Sequence, residues 1–170
     1  INPTRTGILD ALQMMGVEIG VLNKRGGEWE PSADLVIKSS PLKAAEFAGD
    51  LIPRIIDEIP VLAVLATQAE GETVIRDARE LRVKESDRIK TTTQVLTQMG
   101  ANITELDDGM VIKGPVKLKG ALVESYGDHR IAMSMAVAGL IASGETTIFN
   151  TDCINTSFPE FSELMDSINK

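Results

Sequence analysis

Residues 59–75 read IPVLAVLATQAEGETVI, and this stretch decides the fold class. Residues 59–69 are apolar on almost every side, and Pro60 suits the first turn of a helix. Because a helix without a polar face has to be buried, we predict an interior helix here. A Glu-Gly pair ends it, and residues 72–76 then predict a strand.

The same pattern returns later in the chain. Residues 129–142 are again apolar almost all round, and residues 146–149 follow as a predicted strand. The sequence EGETVI at residues 70–75 is echoed by SGETTI at residues 143–148. We therefore predict an α/β (α+β) fold of repeated βαβαββ-type units, in which sheets enclose buried helices.

The repeat predicts one domain, 1–170, made of units at about 1–80 and 81–152 with a terminal helix in 153–170. The other predicted helices are 8–15 with Gly16 as its C-cap, 44–56 broken by Pro53, 84–98 and 159–168. The other predicted strands are 17–22 and 33–38 joined by turns in 23–31, 102–106 and 110–113 joined by Asp107-Asp108-Gly109, and 121–124.

Composition narrows the class of protein. The 170 residues are 43% hydrophobic and 25% charged, which is typical of a soluble domain, and scarce aromatics predict an aliphatic core. A net charge of −8 argues against a nucleic-acid binder, and no apolar stretch is long enough to span a membrane. The single cysteine, Cys153, excludes an internal disulfide, so we expect a reducing, cytoplasmic location. The start resembles no signal peptide and lacks an initiator Met, so we expect a piece of a longer chain.

Two short charged runs precede predicted helices, KESDR at residues 84–88 and GDHR at residues 127–130. Both place cations beside the free N–H groups of a helix start, where a bound anion is favoured. Lys84 and Arg88 are four residues apart on one helix face, so they repel each other unless an anion joins them. The alternative is that charges three residues apart, such as Lys84 and Asp87, form ordinary solvated pairs.

Each residue near the helix starts has a structural and a functional interpretation. Asp128 is a natural N-cap, and His129, the only histidine, is at such a position more often a structural group than a catalyst. Arg130 borders an apolar helix, where a guanidinium suits a carboxylate or phosphate. Asp57 is either a partner of the helix dipole or a partly buried base. The residues expected to converge in one basic hollow open to solvent are Asp57, Lys84, Arg88 and Arg130.

Other chemical motifs are missing from the sequence. There is no phosphate-binding P-loop, no dinucleotide-binding glycine pattern and no nucleophile elbow. One cysteine and one histidine cannot build a common zinc site. The sequence therefore predicts neither a cofactor nor a metal.

Several segments, in order along the chain, resemble the family of 3-phosphoshikimate 1-carboxyvinyltransferase, or EPSP synthase. The matching segments are RVKESDR at 82–88, GDHRIAM at 127–133, NPTR at 2–5, DEIP at 57–60 and SFP at 157–159. The resemblance implies an incomplete C-terminal domain, about two of its three units, from a two-domain enzyme with its active site between the domains. It also implies a missing N-terminal domain as partner.

The family transfers an enolpyruvyl group from phosphoenolpyruvate to the 5-hydroxyl of shikimate 3-phosphate, releases phosphate, and needs no metal or organic cofactor. The resemblance implies three catalytic roles: Asp57 as the base on the hydroxyl, Glu85 as the group that handles the methylene proton, and Lys84 as an aid to proton transfer. The substrate-binding residues that it implies are Arg88, Arg130, His129, Lys84 and Asp57. Glyphosate, the inhibitor of the family, would use the same cationic pocket.

Two positions depart from the family pattern. Many members have Lys where Thr156 stands, and some have Asn at Glu80. The alternatives are the sister transferase that acts on UDP-N-acetylglucosamine, and a repeat domain without catalysis. We expect the isolated chain to be inactive, because half a cleft cannot align two substrates.

Overall fold

Helix α3 (Ile59–Ala66) lies inside the protein, and six of its eight residues are buried, which confirms the prediction from its apolar sequence. The computed structural model describes residues 1–27 and 30–168. Pro60 occupies the first turn of α3, where its missing N–H leaves no hydrogen bond unmade.

The second apolar segment forms α5 (His129–Ile141), which packs against α3. Ile131 and Met135 are fully buried on one side of α5, but Leu140 and Ile141 are about half exposed. The prediction of a helix is confirmed, whereas the prediction that it is buried all round is wrong within the described residues. Its outer side lacks a neighbouring layer there.

A four-stranded sheet contributes Phe47, Ile75, Met110 and Ile112 to the core. Its strand order is β3 (Glu46–Phe47), β4 (Gly71–Ile75), β6 (Gly109–Gly114) and β5 (Asn102–Leu106). The β3–β4 pair is parallel, whereas β6 runs antiparallel to both β4 and β5. The hairpin between β5 and β6 turns at 107–108, which confirms the predicted connection.

Two smaller sheets have two strands each. In one, β7 (Leu122–Glu124) runs parallel to β8 (Thr147–Phe149), and α5 connects them. In the other, β1 (Ile19–Arg25) runs antiparallel to β2 (Ser32–Ile37). The predicted turns between β1 and β2 include residues 28–29, which lie outside the described residues.

The remaining helices are α1 (Gly7–Met14), α2 (Ile52–Ile55), α4 (Arg88–Gln98) and α6 (Phe161–Ile168). The 3₁₀ turns cover Gly49–Leu51, Arg79–Val83 and Thr151–Thr156. Gly16 follows α1 with φ +88°, as predicted for a residue that ends a helix. The predicted terminal segment extends over residues 169–170, which the structure does not describe.

Two predicted helices need correction. Residues 44–56 do not form one helix, because Phe47 pairs with Ile75 across β3–β4 and is fully buried there. The helix predicted over 84–98 begins only at Arg88. Asp87 caps it by accepting the N–H of Lys90, so residues 84–87 stay outside.

The core is aliphatic, as the composition predicts. Its fully buried side chains are mainly Ile, Leu, Val, Ala and Met, and Phe47 is the one aromatic residue among those that the structure describes as buried. In residues 1–27 and 30–168, no helix has the length and apolar character that crossing a membrane requires. The division into units at residues 80 and 152 stays a prediction.

Candidate functional site

Three helix starts meet at Asp57. This residue lies two positions before α3, Arg88 is the first residue of α4, and Arg130 lies in the first turn of α5. Arg88 Nη1 is 3.3 Å from Asp57 Oδ1, and Arg130 Nη2 is 3.3 Å from Asp57 Oδ2. Arg130 Nη1 also donates to the Asp57 carbonyl oxygen at 3.0 Å. The expected convergence of these three residues is confirmed.

Behind this meeting point lies a buried ion pair. The side chain of Arg88 is 1% exposed and that of Asp128 is 0% exposed. Arg88 donates from Nε to Asp128 Oδ2 at 2.8 Å and from Nη2 to Asp128 Oδ1 at 3.2 Å. Asp128 also accepts the hydroxyl of Ser86 at 3.0 Å and the backbone N–H of Arg130 at 2.9 Å, so it caps α5.

The pKa of Asp128 records the balance of these contacts. Burial by itself would raise the pKa, since it disfavours the charged form. The hydrogen bonds and charge of Arg88, with the contacts from Ser86 and the backbone of Arg130, outweigh burial and lower the pKa below its usual value. Asp128 is therefore a carboxylate at neutral pH and balances the buried charge of Arg88.

Glu85 and His129 border the same cluster. Glu85 Oε2 accepts from Arg88 Nη2 at 2.6 Å, and the Glu85 side chain is half exposed. The Nδ1 atom of His129 is 4.0 Å from Glu85 Oε1, and the His129 side chain is mostly buried. Glu85 therefore lies beside Arg88, and His129 lies beside Glu85.

Lys84 is placed differently from the prediction. It precedes α4 in an extended backbone conformation, so it does not share a helix face with Arg88. Its Nζ atom donates to Glu80 Oε1 at 2.5 Å. The alternative pair of Lys84 with Asp87 is not found among the described residues: Lys84 pairs with Glu80, and the Asp87 carboxylate takes a hydrogen bond from Arg82 at 2.8 Å.

Two contributors were not predicted from the sequence. Arg5 Nη2 lies 3.6 Å from Asp57 Oδ2, and Ser86 bonds to Asp128 as described. The Asn2 side chain accepts the backbone N–H and hydroxyl of Thr4, which forms the turn that presents Arg5. The segment NPTR at residues 2–5 was a signal for Arg5, since it is one of the segments that resemble the family.

Carboxylates of the chain lie beside every arginine of the predicted basic hollow. The arginines at positions 5, 88 and 130 all face carboxylates of the chain itself. Sequence spacing cannot show this, because Asp57 lies 31 residues and Asp128 lies 40 residues from Arg88 along the chain. Asp57 and Glu85 accept from Nη1 and Nη2 of Arg88, on the side away from the buried Asp128.

A cavity of about 240 Å³ opens beside Asp57 and Arg130. Its other lining is mainly apolar, with Val61, Met133 and Phe158 among its residues. The nearby Thr156, which departs from the family pattern, is exposed, and its hydroxyl donates to a local backbone carbonyl, that of Cys153 at 2.7 Å. Over residues 1–27 and 30–168, no three His, Cys, Asp or Glu side chains are grouped to hold a metal ion.

The structures of known proteins that superpose on this chain define its class of fold. The fold is that of the enolpyruvyl transferases: the enolpyruvyl transferase NikO from Streptomyces tendae superposes with a TM-score of 0.71 at 24% identity, over 97% of this chain and 35% of that chain. The EPSP synthase of Acinetobacter baumannii superposes with a TM-score of 0.93 at 46% identity, over 98% of this chain and 39% of that chain.

The family follows from sequence. The pattern of the family described as EPSP synthase (3-phosphoshikimate 1-carboxyvinyltransferase) matches residues 1–165. A relative of that name from Geobacter sulfurreducens is 58% identical over 168 residues, which are 99% of this chain and 39% of the relative. The chain therefore belongs to the EPSP synthase family and spans about two fifths of the curated relatives it matches. The UDP-N-acetylglucosamine alternative is not favoured by these matches.

Proposed function

We propose that this chain forms one wall of an active site that transfers the enolpyruvyl group of phosphoenolpyruvate to the 5-hydroxyl of shikimate 3-phosphate. The observation that carries the proposal is the meeting of Asp57, Arg88 and Arg130 at three helix starts. Two guanidinium groups within reach of one point suit a ligand that bears both a carboxylate and a phosphate.

The arginines bind phosphoenolpyruvate in this proposal. Arg88 is held from behind by Asp128 and points its remaining N–H groups toward Asp57 and Glu85. Arg130 is about a quarter exposed and borders the cavity. Fixed cations of this kind stabilise the negative charge that develops in a tetrahedral intermediate without reorganising during the reaction. His129 lines the phosphoenolpyruvate pocket beside them.

The carboxylates move protons in this proposal. Asp57 takes the proton of the substrate hydroxyl, and Glu85 handles the proton at the phosphoenolpyruvate methylene. Lys84 assists proton transfer after it leaves Glu80, its partner in the structure. In this proposal an incoming anion takes the place of Asp57 and Glu85 on Arg88, which frees both carboxylates for proton transfer.

The remainder of the enzyme supplies the other wall and completes the domain. Strand β4 is paired on both sides, by β3 and β6, whereas the described residues pair β8 only with β7. A cavity of about 350 Å³ between α1, α3 and α5 has an almost wholly apolar lining that includes Leu12, Val61, Leu65 and Ile141. We place the chain in the cytoplasm as an incomplete domain, 1–170, whose open edge and apolar face receive the rest of the protein.

The first test is a titration of the chain with phosphoenolpyruvate, followed by NMR of the arginine side chains. The proposal expects the Nε–H signals of Arg88 and Arg130 to shift. Shifts confined to residues away from the helix starts would contradict it.

The second test restores activity. The chain is mixed with a separately produced N-terminal portion of the Geobacter relative, and phosphate release is measured with both substrates present. We expect release from the mixture and none from the chain alone. Asp57→Asn and Glu85→Gln should each lower the rate by about a hundredfold or more, because a general acid or base is removed. The control, Glu105→Gln, alters a carboxylate bound to Arg82 instead and should keep nearly the full rate.

A further inference from the structure

We infer that Asp128 is the positioning residue of the site: it holds Arg88 by the Nε and Nη2 edge of the guanidinium group so that the adjacent edge, formed by Nη1 and Nη2, faces the substrate. This inference rests on the proposed function, since it concerns how Arg88 is presented to an anion. It assigns Asp128 a role beyond that of the helix cap predicted from the sequence.

The geometry of the guanidinium group carries the inference. A planar guanidinium can bind carboxylates in pairs of parallel hydrogen bonds along its edges. The Nε and Nη2 atoms of Arg88 bond to the two oxygens of Asp128 at 2.8 and 3.2 Å. The Nη1 and Nη2 atoms face Asp57 at 3.3 Å and Glu85 at 2.6 Å. The edge formed by Nε and Nη2 is thus bound to Asp128 inside the protein. The edge formed by Nη1 and Nη2 is left for exchange with a ligand.

Burial separates the two edges. Asp128 is 0% exposed, whereas Glu85 is 49% exposed and Asp57 is 23% exposed. An incoming anion can displace the exposed carboxylates, but it has no path to the oxygens of Asp128. The hydroxyl of Ser86 and the backbone N–H of Arg130 hold those oxygens in place. Asp128 therefore connects the two charged runs, since its partner Arg88 belongs to the first run and lies 40 residues away along the chain.

The substitution Asp128→Asn isolates this role. The amide oxygen still caps α5, because Asn is as good an N-cap as Asp. The amide NH₂, however, replaces the oxygen that accepts from Arg88 Nε, so two donors then face each other. The matched control is Asp87→Asn, since Asp87 caps α4 in the same way but faces Arg82, outside the site.

The experiment measures the Nε–H signal of Arg88 by NMR and the affinity for phosphoenolpyruvate in the same samples. In the unaltered chain we expect a sharp Nε–H signal that exchanges slowly with water. Asp128→Asn should accelerate that exchange and weaken phosphoenolpyruvate binding by about tenfold, as expected for the loss of a charge-assisted hydrogen bond. Asp87→Asn should change the affinity less than about twofold. In an Arg88→Lys background, Asp128→Asn should have almost no further effect, because the edge it holds is gone.

The outcomes separate this inference from the proposed function. If the mixture of the chain with the N-terminal portion binds no phosphoenolpyruvate, the proposed function fails, and the exchange rate of Arg88 Nε–H alone decides about Asp128. An unchanged Nε–H signal, or unchanged affinity despite a changed signal, in Asp128→Asn overturns the inference. Should that variant not fold, Ser86→Ala replaces it. Loss of the Ser86 hydrogen bond should weaken binding by about two- to fivefold, and unchanged binding overturns the inference there.

Discussion

Helices α4 and α5 begin in the same way, and their surroundings give the two starts different roles. Each is capped by an aspartate, Asp87 or Asp128, whose carboxylate also binds an arginine. Arg82, the partner of Asp87, is 24% exposed and ties the cap to the β5–β6 hairpin through Glu105 and two backbone carbonyls. Arg88, the partner of Asp128, is buried at the site.

Burial, and not the local motif, decides what each of these two ion pairs does. An exposed pair contributes little to stability, because water and salt screen it. A buried pair contributes little as a pair, but the loss of one partner leaves a charge without compensation. The pair at α4 thus serves as a surface tie. The pair at α5 holds the charged guanidinium group of Arg88 in one position, as a binding site for an anion requires.

The largest expected difference follows removal of each arginine. Arg88→Met leaves Asp128 buried without its partner and should lower the free energy of unfolding by about 3–5 kcal/mol. Arg82→Met, the matched change at α4, should cost about 1 kcal/mol, because the partly exposed carboxylates it leaves behind are still reached by water. Urea denaturation of both variants measures the two costs. Equal losses in the free energy of unfolding would show that burial does not distinguish the two ion pairs.

The second largest expected effect is a recovery of stability in a double variant. The double variant Arg88→Met with Asp128→Leu removes both buried charges, so its free energy of unfolding should lie within about 2 kcal/mol of the unaltered chain. Most of the remaining loss comes from the missing helix cap. Phosphoenolpyruvate binding should be lost in this variant although the fold is kept. If the two single losses add, the charges are not paired as the structure describes.

The contribution of Asp128 to the stability of the chain should depend on pH. The pKa of Asp128 is lowered in the folded chain, so its stabilising contribution is present above the unfolded value of about 3.9 and is lost as the pH falls through the lowered folded pKa. The difference in stability between the unaltered chain and Asp128→Asn should therefore be largest near neutral pH and shrink below about pH 4. Thermal unfolding at a series of pH values measures it. Parallel curves over that range would contradict the role of the Asp128 charge.

The smallest expected effect is the response to salt. The cost of Arg82→Met should fall by a few tenths of a kcal/mol when NaCl is raised to about 0.5 M, since salt screens exposed pairs. The cost of Arg88→Met should stay nearly constant, because the pair is shielded from solvent ions. The same urea experiments at two salt concentrations test this, and a salt response at Arg88 as large as that at Arg82 would be evidence against the buried pair.

Much of the fold was predictable because its signals are local. The apolar segments at α3 and α5 and the hairpin β5–β6 follow from periodicity and turn residues within a few positions. The helix predicted over 44–56 was wrong because β3 exists only through its pairing with β4, a partner more than twenty residues away. Propensity within a window carries no information about such a partner.

The sequence predicted which residues belong to the site, but not which hydrogen bonds and ion pairs these residues form. The two charged runs and Asp57 are visible in the sequence, and the structure brings Asp57, Glu85, Arg88, His129 and Arg130 together. Lys84 could not be placed, because its partner depends on the 3₁₀ turn that precedes it. Asp128 could be predicted as a cap, but its bond to Arg88 requires two helix starts to pack against each other.

From the sequence alone it followed that α3 and α5 are helices with extensive apolar surface and that charged side chains stand near the starts of α4 and α5. These are properties of neighbouring residues, set by capping, periodicity and side-chain chemistry. Only the tertiary structure decided that Arg88 is buried while Arg82 reaches solvent, and that carboxylates of the chain already occupy the arginines. Burial and long-range ion pairing depend on how α3, α4 and α5 pack, and packing is a property of the whole chain.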